Sequence, residues 1–240
     1  MEAAPPAPAA KEGRPPEQIA QGLWLFPPNR DTQGGSAWLL QTPACTVLVD
    51  LPALTESHRQ WLQQQVPAPP SGDGPEAWIV LSGRHGHGRC RAWQEALGWP
   101  VLVQEQEAYL LPSVRLHTFA EEHQLAAGLS LLWTPGPSPG ACVLHSRSGP
   151  SGDGLFCGRL LLPSGPGQLS PLRRRSTFHW PRQLQSLERL CRWLPSGSPE
   201  WIASGGALGA LRGEKLVRTG VFQLSELNLE ALADQPLEGG

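Results

Sequence analysis

The sequence predicts a mixed α/β protein built on two sheets, and three observations carry that expectation. Short apolar, β-branched runs recur along most of the chain. Helical patterns interleave with them, and Gly- and Pro-rich loops separate the two kinds of element. Strand pairs come before, between and after the helices, which suits two sheets better than one doubly wound sheet.

The elements follow in chain order. Residues 1–17 are rich in Pro and Ala and have neither an apolar signal core nor the Arg and Ser of a transit peptide. They are expected to form a disordered tail ahead of a single domain spanning 18–240. Strand-like runs stand at 23–26 (LWLF), 36–41 (SAWLLQ), 45–49 (CTVLV), 77–81 (AWIVL) and 100–103 (PVLV). Further runs lie at 114–118, 129–133, 141–145, 155–157 and 201–203. A helix is predicted over 55–65, with Thr55 as N-cap and His58, Trp61, Leu62 and Gln65 on one side. A second runs over about 89–97, where Trp93 and Leu97 are spaced by four. The strongest pattern is 181–194: Pro181 can open the helix, and Leu184, Leu187, Leu190, Cys191 and Leu194 form one apolar stripe.

Composition bounds the function. With 240 residues, 40% hydrophobic and 17% charged, the chain can bury a sizeable core. Its net charge of −2 supplies no field for nucleic acid or an acidic membrane, and no run approaches the 18 apolar residues of a membrane span. The five cysteines (Cys45, Cys90, Cys142, Cys157, Cys191) are odd in number and make no C-x-x-C pair, which argues against a disulfide framework or zinc ribbon. The expectation is a cytoplasmic protein with neither nucleic-acid nor membrane partners. The 26 Pro and 27 Gly concentrate in loops at 67–76, 134–140, 148–154 and 163–171, while the ten scattered Trp read as core packing.

One stretch invites chemistry. LSGRHGHGRC (81–90) places His85 and His87 two apart, with Cys90 close behind, just after an apolar strand. Imidazole and thiolate are good zinc ligands, and His117, His123, His145 or His179 are the residues available to complete a mononuclear site. The plainer reading is a hydrogen-bonded or solvated loop pair. Arg159 and Arg173–Arg175 are candidates for an anion site. Cys90 and Cys157 are candidate nucleophiles, although no base is fixed by spacing and an inert buried thiol fits better. Phe178, His179 and Trp180 read as a staple for the helix that follows, and Asp50 and Asp153 as turn or strand-end residues.

Several stretches, in order, resemble the metallo-β-lactamase-fold hydrolases over roughly residues 22–212. FPPNRDTQGGSAWLL and TVLVDLP are similar to the opening hairpin and acidic strand end, with Asp50 as the structural aspartate. LSGRHGHGRCRAWQEALGWPVLVQEQEA is similar to the metal loop with its helix and next strand. LLWTPGPSPGACVLH resembles a T-P-G-H-T-P-G-S turn, GLFCGRLL an L-F-x-G-D-x-L segment, and WIASGG a closing P-G-H-G. The nearest likeness is to a subgroup of cyanobacteria and plant chloroplasts, sometimes fused to a ferredoxin-like domain. The fold implied is an αβ/βα four-layer sandwich, two mixed β-sheets face to face with helices outside and the site at one sheet edge.

The ligand pattern implied by the resemblance is degenerate. T-H-x-H-x-D-H would place ligands at Gly83, His85, His87 and Gly88; the other positions fall on Pro137, Arg159 and Gly205. Of these seven positions only His85 keeps the family residue. Gly and Pro offer no side-chain donor, and Arg159 puts a fixed positive charge where two cations should be bridged. Meanwhile the turn-forming Gly136, Gly140 and Gly158 persist. The reading is a pseudoenzyme without a cofactor, binding a protein or a small ligand at the former active-site face through His85, His87 and Arg159. The alternative is a divergent zinc-dependent hydrolase of an ester, thioester or phosphoester around His85 and His87. A third reading, a partner of a photosynthetic or redox complex, comes only from the subgroup's setting.

Overall fold

The computed structural model describes residues 13–66 and 76–237. β1 (Glu17–Ala20), β2 (Leu23–Asn29), β3 (Gly35–Gln41), β4 (Cys45–Val49), β5 (Glu76–Leu81), β6 (Val101–Gln104) and β7 (Leu116–Phe119) form one seven-stranded sheet in that order. It is antiparallel from β1 to β4 and parallel from β4 to β7. Parallel neighbours need crossovers. α1 (Glu56–Gln65) supplies the one between β4 and β5, and α2 (Cys90–Leu97) the one between β5 and β6.

The second sheet holds β8 (Glu122–Ala126), β9 (Leu129–Trp133), β10 (Cys142–Gly149), β11 (Gly152–Phe156) and, further along the chain, β14 (Trp201–Ala203). β8 to β11 are successively antiparallel, and β14 joins the outer side of β11 in parallel. β12 (Leu162–Gly165) and β13 (Gln168–Ser170) make a separate hairpin, followed by α3 (Trp180–Trp193) before β14 and α4 (Gly220–Ser225) and α5 (Leu229–Ala233) after it.

Three apolar layers hold these parts together. Trp38, Leu40, Val47, Val80 and Leu102 of the first sheet meet Leu131, Leu144, Phe156 and Trp201 of the second. Behind the first sheet, Leu39, Leu48, Ile79 and Val101 pack on Leu62 of α1 and Trp93 of α2. Behind the second, Leu132, Val143, Leu155 and Ile202 pack on Leu184, Leu187 and Leu190 of α3. The result is the expected four-layer sandwich of two mixed sheets. β3 is buried on both faces, so its sequence GSAWLLQ reads as a continuous apolar run rather than an alternation. A fully buried Leu in such layers contributes roughly 1.5–3 kcal/mol.

Several local expectations need correction. The tail boundary at residue 17 is too late: the Arg14 carbonyl lies 2.7 Å from Nε2 of the buried His58, and Glu17 already starts β1. A tail to residue 12 and most of the 67–76 loop lie outside the described residues. The loop expected at 163–171 contains the β12–β13 hairpin, and 148–154 is mostly the β10–β11 hairpin. In both, Pro and Gly mark the turn of a hairpin, not a loop between elements. Cys191 is exposed, so the apolar stripe of α3 runs without it. The helix caps agree with expectation: Thr55 accepts from the His58 N–H at 3.2 Å, and Pro181 sits in the first turn of α3.

The tryptophans pack and also pin loops. Indole N–H groups of Trp38, Trp93, Trp133 and Trp201 donate to the carbonyls of Ser204, Pro52, Pro139 and Ser151 at 2.8–3.1 Å. Trp180 donates to the Leu232 carbonyl, anchoring α3 to α5, while its neighbour Phe178 remains 49% exposed. The staple expected of Phe178, His179 and Trp180 therefore rests on Trp180, with His179 as the N-cap of α3.

Candidate functional site

Asp50 follows β4, Ser82 follows β5, Arg159 lies just beyond β11 and Gly205 just beyond β14. All are at the carboxyl ends of strands, where loops from both sheets meet. One cavity there is lined by Gly83, His85, Pro137, Arg159 and Gly205, together with Thr32, Asp50, Ser82 and Ser138. Positions far apart in sequence thus share one edge of the sandwich. His87 and Gly88 do not line it: a Cβ on Gly88 would face Leu51 and Thr32. His85 lies within the tight turn Arg84–Gly86 and His87 caps its end; His85 lines the cavity and His87 does not. Of the expected ligand-binding residues His85, His87 and Arg159, the cavity is lined by His85 and Arg159.

Asp50 organises the loop. It sits at φ 59°, buried, and its carboxylate accepts the Ser82 N–H at 2.8 Å and the Ser82 hydroxyl at 2.6 Å. A side chain on Gly86 would collide with that carboxylate, so glycine there lets the turn close over Asp50. Burial raises the Asp50 pKa to about 6, against the lowering effects of the Ser82 hydrogen bonds and the nearby Arg159 charge. His85 moves the other way, to about 4, through burial first and then the charges of Arg159, Arg84 and His87. His87 also falls to about 4, by burial and then Arg84. Both imidazoles are neutral near pH 7.

Arg159 acts as a clasp. One terminal nitrogen, Nη2, donates to the carbonyls of Thr32 at 2.9 Å and Gln33 at 3.1 Å, tying the loop after β11 to the β2–β3 turn. Main-chain bonds close the same edge, from Ser36 N–H to the Gly205 carbonyl at 3.1 Å and from Cys142 N–H to the Ser82 carbonyl at 2.9 Å. The cavity that remains is about 10 Å³, room for about one water molecule.

The fit of a metal centre to this edge can be judged from its donors. Gly83, Pro137 and Gly205 bring none, and among the described residues no three His, Cys, Asp or Glu gather as a metal would require. The positions are also closed sterically. A Cβ on Gly205 would lie 3.1 Å from the Gly158 backbone, and one on Gly83 2.9 Å from the Ser138 hydroxyl. The residues present do not fit a dinuclear zinc centre.

The histidines considered as completing ligands are elsewhere. His117 packs edge-on against Trp78, His123 tilts against Phe119, and His179 caps α3. His145 Nε2 lies 2.7 Å from Asp153 and 2.8 Å from the Ser198 hydroxyl in a buried cluster. Asp153 is therefore a partner of His145 and not merely a strand-end residue. A Ser-His-Asp relay needs both ring nitrogens, and here Asp153 and Ser198 meet the same one; the cluster ties the loop before β14 to β10. Cys90 and Cys157 are buried, and burial pushes both thiols up to about 12, which removes them as nucleophiles.

Residues that spacing did not single out complete the edge. Glu107 is fully buried, accepts the Gly140 N–H at 3.1 Å and lies 3.6 Å from Arg84, so it couples the His85 turn to the 134–140 turn. Ser138 presents a buried hydroxyl without a partner to the cavity. Nothing in the local sequence distinguishes Glu107 from Glu105, or Ser138 from other loop serines.

No protein-family model and no curated protein matches the chain. Solved structures do. A B3 metallo-β-lactamase with an active-site glutamic acid superposes with a TM-score of 0.59 at 17% identity, covering 92% of this chain and 91% of its own. TMB-1, studied for substrate and inhibitor binding, gives 0.64 at 14% identity, covering 93% and 100%. A metallo-β-lactamase family protein from Thermus thermophilus gives 0.55 at 19%, covering 90% and 81%. At these identities the likeness speaks for architecture alone, and it establishes that the chain has the metallo-β-lactamase fold.

Proposed function

We propose that this is a non-catalytic protein of the metallo-β-lactamase fold, using the strand-end face to bind a protein or a small ligand. The observation that carries the reading is the cavity itself. The positions that line it supply His85 as their imidazole and Asp50 as their carboxylate, and Asp50 is committed to Ser82. By the resemblance Arg159 falls at the family's bridging-aspartate position, and its hydrogen bonds tie the loop after β11 to the β2–β3 turn without a metal. The glycines allow main-chain closure where ligand side chains would need room. We further propose that the positions Gly83, His85, His87, Gly88, Pro137, Arg159 and Gly205 are a former metal site, retained as a shaped surface.

The reading is tested by turnover. Purified protein is assayed against a β-lactam, an acyl lactone, a thioester and a phosphodiester, with and without added zinc. The expected result is no hydrolysis above buffer in any condition. Zinc-dependent turnover that disappears in His85→Ala would overturn the reading and establish the hydrolase around His85.

A further inference from the structure

A wider cleft lies between the β12–β13 hairpin and the α4–α5 segment. Its volume is about 680 Å³, within the roughly 300–1,000 Å³ of small-ligand sites, and it shares no lining residue with the strand-end cavity. Its walls are braced from within the chain. Gln223 Oε1 of α4 accepts the Leu169 N–H of β13 at 2.9 Å, and the Leu232 carbonyl of α5 receives the Trp180 indole N–H at 3.1 Å. Leu169, Leu227 and Leu232 give the cleft an apolar wall, and Phe222 adds an aromatic ring that is 58% exposed.

The charge of the cleft has one sign. Glu226 and Asp234 line it, and no Lys, Arg or His does. Both carboxylates are exposed, and among the described residues neither has an ion-pair partner. They cap the C-terminal ends of α4 and α5, and their own N–H groups are turned back to helix carbonyls. Gln235 gives a separate indication. It lines the cleft, its N–H is taken by the Leu232 carbonyl, and its side-chain Oε1 is buried without a partner. A buried acceptor that no group donates to is costly. The charged groups and the buried unpaired group of the cleft are thus all acceptors.

An ammonium group supplies three N–H donors and the opposite charge, and the face of a ring such as Phe222 attracts it further. One ammonium leaves one carboxylate unmatched, and a bare metal ion would meet leucine side chains where it needs converging oxygens. An aliphatic chain with two or more ammonium groups matches both features, with methylenes on the leucines and charges at the carboxylates. A basic peptide added as a further strand fits less well, because the Leu169 N–H of β13 is already taken by Gln223. We infer that this cleft binds an aliphatic diamine or polyamine, with Glu226 and Asp234 each holding an ammonium and Gln235 Oε1 accepting one of their N–H groups. The site lies apart from the strand-end face and does not depend on the proposed function.

The test uses the full-length, untagged chain. Putrescine and spermidine are titrated calorimetrically at constant ionic strength, and melting is followed in parallel. Butanediol controls for the aliphatic body without charge, butylamine for a single ammonium, and magnesium chloride for charge without the body. The expected result is saturable binding of putrescine or spermidine, weakened about tenfold or more in both Glu226→Gln and Asp234→Asn. Because both carboxylates are exposed, these variants should melt near wild type without ligand. Gln235→Leu should weaken binding as well. The inference is overturned if any of the three controls binds as tightly as the amines, or if both carboxylate variants bind like wild type. Binding of a lysine-rich peptide with no binding of either amine would overturn it too.

Discussion

At the scale of single residues, buried ionisable groups set the behaviour with pH. Asp50 has a folded pKa of about 6 against an ordinary 3.8, so its contribution to stability is full below 3.8 and is lost as pH rises through 6. His85 and His87 lie at about 4 against 6.5, so theirs is full above 6.5 and is lost as pH falls toward 4. Between pH 4 and 6 the trends oppose each other. Asp50→Asn should therefore lose stability on acidification more steeply than wild type, and His85→Gln less steeply, as measured by denaturant unfolding across that range. Identical slopes in all three proteins would refute the burial of these groups. Thiol chemistry gives a second check: Cys45, Cys90, Cys142 and Cys157 are buried and Cys191 is exposed, so a neutral-pH thiol reagent should modify about one thiol quickly per native chain. Rapid modification of two or more would contradict the packing. At this scale the sequence was informative where a residue type forbids something, as Gly205 and Pro137 forbid ligation. It was silent on Glu107 and Ser138, whose roles depend on neighbours brought by other strands.

At the scale of elements, burial decided what could be read. β3, β4, β5 and β14 are apolar and bury both faces, and their runs announce them. β1 (EQIA) and β8 (EHQLA) are edge strands with half-solvated, polar sequences, and no period marks them. The short α4 and α5 carry too few turns for a helical period, and they depend on packing near α3. Two substitutions test the element contacts. Gly136 has φ 149°, and a Cβ there would run into the backbone of Gln183 in α3, so Gly136→Ala should destabilise by about 1–3 kcal/mol in denaturant unfolding. A wild-type midpoint would show that α3 does not press on this turn. Cutting the chain after residue 16 should lower the melting temperature, because His58 loses the Arg14 carbonyl. An unchanged melt would return that segment to the tail.

For the whole molecule, the order of short motifs made the sandwich legible, because each marks a loop at the same end of a different strand. The closing of that end was only half legible. That Gly83, Pro137 and Gly205 carry no side-chain donor can be read letter by letter, but the direct bonds of Ser36 to Gly205 and Cys142 to Ser82, and the clasp of Arg159, require the two sheets to be face to face. Among the described residues no helix is long and apolar enough to cross a membrane. On the proposed non-catalytic reading, these bonds keep the edge together without a metal. A metal bound by the native state would add to stability and depend on its concentration. The most direct measurement is elemental analysis of untagged protein, before and after chelation, alongside thermal melting with and without zinc. The expected result is well under one metal per chain and superimposable melting curves. About one zinc or iron per chain, with a large fall in melting temperature on chelation, would contradict it.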